Sequence, residues 1–151
     1  MSDDSAPVNA YGGSTGTVLD YFPKPPCASL LGYEFVSFDR ERQMMRVRFT
    51  GTPAMLNPAG SIQGGFLTAM LDDVMGSMLV VLTNGEKGPI SVDLHTQFLW
   101  PAKPGLITGE ARVRHMTNST AFTEASLTSE DGDLIATAIQ TQRLFPVRKQ
   151  R

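Results

Sequence analysis

A chain of 151 residues, 41% hydrophobic and 19% charged, has the size and composition of one globular domain with one core. Its 13 Lys and Arg against 15 Asp and Glu leave a net charge of −2, with no electropositive footprint for DNA or RNA. The single cysteine, Cys27, excludes an intrachain disulfide framework and a cysteine-built metal site, which suits a reducing, cytoplasmic setting.

Residues 1–17 are rich in Ala, Gly, Ser and Asn, lack the positive and apolar regions of a secretory signal, and read as a disordered tail before one domain over 18–151. From Val18 to Leu31 a short apolar segment is interrupted by Pro23, Pro25 and Pro26. It cannot be one helix and reads as an arm or lid over a core edge. Two strand-like runs follow, Gly32 to Phe38 and Met44 to Thr50, around a polar turn at Asp39 to Gln43. In the second, Met45, Val47 and Phe49 alternate with Arg46 and Arg48, the period of a half-buried antiparallel strand. After a Gly- and Pro-rich loop, Gly64 to Thr83 is apolar for long enough to cross a bilayer. Asp72 and Asp73 near its centre oppose that reading, because each costs roughly 2.5–3.5 kcal/mol in a membrane; a helix buried within a soluble domain fits better. Four more strand patterns follow, at Ile90 to Leu99, Gly105 to Met116, Thr120 to Ser129 and Asp133 to Phe145, and Asn118-Ser119-Thr120 reads as a turn. Two strands, one apolar helix and four strands leave one antiparallel sheet to cover the helix, an α+β wrap.

The chemistry concentrates around that helix. Gly64 and Gly65 at its start either serve close packing or a tight turn, or leave open N–H donors that can hold an oxyanion. A carboxylate two turns inside an apolar helix must be hydrogen-bonded, shifted in pKa, or at a cleft. Asp72 and Asp73 project about 100° apart. They are therefore not expected to face one site, which makes one functional and the other peripheral. Ser91, Asp93 and His95 alternate on one strand, but residues two apart are roughly 6.6–6.8 Å from one another, a poor geometry for a catalytic relay. His95 and His115 have no ligand spacing, and no metal is expected. Phe66, Met70, Met75 and Met78 read mainly as core. Arg112, Arg114, Lys103 and Lys87 are eligible to meet phosphates.

Taken in order, Asn57, Gln63-Gly64-Gly65, Asp72, Ile90-Ser91-Val92-Asp93 and Phe98-Leu99-Trp100-Pro101-Ala102 resemble the PaaI-type acyl-CoA thioesterases of the hotdog fold, over roughly Leu31 to Phe145. The resemblance implies a curled antiparallel sheet around one central helix, a homodimer with its active site between subunits, and two such dimers in a homotetramer. It implies hydrolysis of an aryl- or fatty-acyl-CoA, with coenzyme A as part of the substrate and no other cofactor. Asp72 would be nucleophile or general base, the Gly64 N–H the oxyanion donor, and Asn57 the residue that positions water or thioester. Ser91 would complete the pocket from the partner subunit, and Gly65, Phe66 and Thr68 would contact substrate. Gln63 stands where the family usually has histidine; it can donate a hydrogen bond but cannot titrate near neutrality. A weak or inactive acyl-CoA binder is the alternative reading, and dehydration of hydroxyacyl thioesters ranks last for want of a histidine at the helix entrance. A domain this small, with its helix wrapped, is expected to fill its own interior and to place its cleft at a subunit boundary.

Overall fold

The computed structural model describes residues 14–148. Of the tail expected over residues 1–17, the first thirteen residues lie outside the described ones. Ser14 to Gly16 close onto the Asp20 carboxylate, which accepts hydrogen bonds from Ser14 Oγ, from the N–H and Oγ1 of Thr15, and from Gly16 N–H. A short 3-10 turn over Val18–Tyr21, capped by Thr17 Oγ1, leads through Pro23 and Pro25 into a brief helix α1 (Pro26–Leu30). This is the expected arm.

Six strands follow the expected order: β1 (Glu34–Asp39), β2 (Met44–Gly51), β3 (Lys87–Phe98), β4 (Gly105–Met116), β5 (Thr120–Ser129) and β6 (Leu134–Pro146), with helix α2 (Gly64–Leu82) between β2 and β3. All pairs are antiparallel, in the order β1-β2-β4-β5-β6-β3, so β1 and β3 are edges. On β2 the alternation places Met45, Val47 and Phe49 in the core, while Arg46 points outward to Glu110 on β4. Gly32, at φ +66, lets the chain enter β1 pressed against Thr50: a Cβ there would lie 2.8 Å from the Thr50 Cβ.

Helix α2 is long and apolar enough to span a membrane, yet here the sheet covers one side of it. Leu67, Met70, Leu71, Val74, Met75 and Met78 are buried against the sheet. The methionines are therefore core, as read from the sequence. The C-terminus closes in a Schellman arrangement. Asn84, at φ +51, and Gly85 donate to the carbonyls of Val81 and Val80, and the Arg40 guanidinium donates to Leu82 and Val81 O. Asp72, Asp73, Gly76 and Val80 of α2 line a cavity shared with the arm and with the start of β3.

Candidate active site

Asp72 is held by a closed triangle of hydrogen bonds. Ser91 Oγ donates to its Oδ1 at 2.9 Å, and Gln140 Nε2 donates to the same oxygen at 2.5 Å and to Ser91 Oγ at 2.6 Å. Among the described residues Oδ2 accepts from no group, so one carboxylate oxygen is fixed and the other is available. Ser91 stands beside Asp72 of its own chain, not across a subunit boundary as expected. Its placement comes from a register shift between Ser91 and Asp93 in the pairing of β3 with β6. Beyond that bulge Leu94 packs on the core, Asp93 accepts from Thr141 N–H, and His95 lines an outer cavity with Gln97. Ser91 is thereby separated in facing from Asp93 and His95, which removes the shared face that strict alternation implies. Gln140 was not singled out from the sequence. Its signal is an inward-phase polar residue in the run Ala136, Ala138, Gln140, Gln142, Leu144, all buried.

A cavity of about 450 Å³ opens beside this triangle, and both Asp72 and Asp73 line it. The expectation that they could not share one site fails because Gly76 projects between them. A Cβ there would meet nothing nearer than Pro89 Cγ at 3.9 Å, so the space over it is open to both. The protomer thus holds a cleft of its own, contrary to the expectation that its interior is filled. Asp73 Oδ2 is buried with no hydrogen-bond partner among the described residues. Burial pushes the Asp73 carboxyl up to about 6, the Asp72 charge adds to this, and Lys24 opposes it.

The other predicted donors sit at the start of α2. Gln63 caps the helix by accepting from Gly65 N–H with Oε1 at 2.9 Å. The Gly64 N–H donates to no group among the described residues, and the Phe98 ring lies where a Cβ on Gly64 would be, 2.9 Å from Cζ. Asn57 Oδ1 accepts from the N–H groups of Ala59 and Ser61, which orders the loop and leaves its Nδ2 open. Asn57, Gly64, Phe98 and Trp100 line a second cavity of about 410 Å³. The predicted contacts Gly65 and Phe66 line a separate small cavity with Gln63 and Cys27, and Thr68 bonds Thr96 on β3. Within one chain, then, the structure gathers Asp72 with Ser91 in one place and Asn57 with Gly64 in another. Of the candidate cations, Arg112 and Arg114 pair with Glu124, Lys87 holds the turn at Asn118, and Lys103 is exposed next to Ala102 of the second cavity.

The raised carboxyl of Asp73 makes stability depend on pH. Between about 4 and 6 the folded chain binds more protons than the unfolded one, so stability falls as pH rises through that window. Asp73→Asn should therefore melt above the parent at about pH 7.5, with the difference closing below about pH 4. Paired melting curves across that range check this, and a pH-independent difference contradicts it.

The chain is similar in sequence and in fold to known proteins. Residues 59–136 match the family model of the thioesterase superfamily. A phenylacetic acid degradation-related protein from Ralstonia eutropha JMP134, named as a thioesterase, superposes with TM-score 0.79 at 33% identity, over 83% of this chain and 95% of that one. The Escherichia coli PaaI protein from the phenylacetic acid degradation operon gives 0.72 at 23% identity (80% and 85% covered), and a Streptococcus mutans UA159 protein bound to acetyl CoA gives 0.67 at 20% (78% and 91%); these two attest the fold. No curated protein sequence matches. The chain belongs to the thioesterase superfamily, and it is a hotdog-fold thioester hydrolase.

Proposed function

We propose that the chain hydrolyses an aryl- or fatty-acyl-CoA thioester at a site built from two copies of itself, Asp72 of one copy working with Gly64 and Asn57 of the other. The observation that carries this reading is a distance. Gly64 and Asp72 lie eight residues apart on one rigid helix, about 12 Å along its axis. A carbonyl under attack needs its oxygen within about 3 Å of the donor and its carbon equally close to the attacking group.

Edge strand β3 supports the pairing. It runs from the carboxylate cavity at Ser91 to the donor cavity at Phe98, and its free edge carries the exposed apolar residues Ile90 and Val92, followed by Leu99 and Trp100. An unpaired strand edge with such side chains is suited to strand addition. Two-fold antiparallel pairing of β3 with its copy sets the Ser91 end of one against the Phe98 end of the other, and symmetry makes two equivalent sites.

In this arrangement the thioester oxygen accepts from the Gly64 N–H at the positive end of α2, and Asn57 Nδ2 orients the water or the thioester. Asp72 Oδ2 either adds to the carbonyl carbon or takes a proton from the water that adds. In the first case the tetrahedral adduct expels the coenzyme A thiolate and leaves an acyl–Asp72 anhydride that water cleaves. In the second, the same expulsion gives the acid directly. Ser91 and Gln140 fix the carboxylate for either step. Gln63, which cannot carry a proton at neutral pH, takes up the Gly65 donor and leaves Gly64 as the open one. This assigns Gln63 to shaping the donor site and leaves acid–base work to Asp72.

Asp72→Asn should lower thiol release from acyl-CoA by about 10²–10⁴-fold with melting temperature and acyl-CoA affinity nearly unchanged. Unchanged turnover contradicts the role given to Asp72, and tight binding by the parent with no thiol above background makes the protein a binder. Gly64→Pro deletes the donor at a helix position that tolerates proline, after a Gln63 already at φ −62, ψ 137, and its Cβ displaces the exposed Phe98 ring. Its kcat should fall by about 10²–10³-fold; a kcat equal to the parent's contradicts the donor role.

A further inference from the structure

The cavity beside Asp72 has a direction. Asp72, Gly76 and Val80 lie at spacings of four along α2 and form one stripe of its floor, about 12 Å long. Past Val80 the floor reaches Gly85, against which the Phe22 ring packs: a Cβ on Gly85 would lie 3.2 Å from it. Leu19, Phe22, Pro23 and Pro25 form the facing wall, all from the arm and all before the segment that matches the family model. The arm is a built part of the fold. Asp20 is buried and fixed by the Ser14 to Gly16 loop, whose donors, chiefly the Thr15 N–H, hold its carboxyl below the usual range. Leu19 is in the core, and Pro23 and Pro25 fix their own backbone. Gly76 leaves the middle of the floor empty, so the space is a channel from the carboxylate to the arm. A volume of about 450 Å³ is within the range of small-molecule sites.

We propose that this channel holds the acyl group of the substrate and that the arm closes its far end, with Phe22 setting the length of an uncharged acyl chain. The proposal rests on the thioesterase reading for the placement of the thioester at Asp72. The walls are apolar along most of the channel; Asp72 and Asp73 stand at its reacting end, where they repel a short acyl group ending in a carboxylate, and the one cation in the lining, Lys87, has its ammonium engaged by Asn118. Phe22→Ala opens the far end, whereas Gly76→Leu fills the middle, where a Cβ meets nothing nearer than Pro89 Cγ at 3.9 Å.

The test measures affinity for a series of non-hydrolysable alkyl-CoA thioethers, ethyl to dodecyl, by calorimetry, with kcat/KM for the matching acyl-CoAs alongside. The parent should show an optimum length and bind a succinyl-like thioether at least about tenfold more weakly than the butyl one. Phe22→Ala should move the optimum to longer chains. Gly76→Leu should weaken chains longer than ethyl by about tenfold or more while retaining the ethyl compound. The proposal is overturned if both variants, folded as judged by melting, keep the parent's length profile, or if the parent binds no thioether. Absence of turnover by the parent counts against hydrolysis alone, since the thioether profile decides the channel without it.

Discussion

Helix α2 must be covered, and one curled sheet covers only one of its sides. The covered side is apolar and supplies the core. What remains is a face that carries two carboxylates and a glycine, and it lies between the arm and the end of β3. Everything functional follows from how that face is finished. Ser91 and Gln140 reach Asp72 from the sheet, and Phe22 and its neighbours on the arm line the same cavity. The rigid rise of the helix carries the open donor at Gly64 out of reach.

That rigidity turns a local geometry into an argument about assembly. A flexible loop could fold a donor back onto a carboxylate; a hydrogen-bonded helix of 19 residues cannot. In the proposed assembly each protomer supplies two half-sites and needs a second copy to complete either. The reason for a second copy is thus no longer the shortage of interior space inferred from chain length, since the protomer has a cavity of its own. In the proposed mechanism it is the separation of Gly64 and Asp72, two groups assigned to the same carbonyl.

The strands and the central helix were legible because their apolar periods are strong and their turns are marked by Gly, Pro and Asp. Asn57, Gly64 and Asp72 stand out in the sequence through a family resemblance, while their division between two cavities shows only in the fold. The facing of Ser91 was not, because the bulge after it is set by the pairing with β6, a tertiary feature that no local alternation records. Gln140 was missed for a related reason. A buried glutamine in a strand shows its purpose only when its partner, 68 positions away in sequence, is in view. The helical angle between Asp72 and Asp73 predicts separate surroundings for the two carboxylates, and it is the missing side chain at Gly76 that lets both line the same cavity.

The central claim, one site from two copies, is tested most directly by mixing two defective variants. Asp72→Asn and Gly64→Pro are each unfolded and refolded together, or coexpressed, so that half of the dimers are mixed. Each mixed dimer then carries one site with both functional groups intact. Thiol release should recover to about a quarter of the parent's, far above either variant alone. Activity of the mixture no greater than the average of the two variants, with mixed dimers present by native mass spectrometry, contradicts the account.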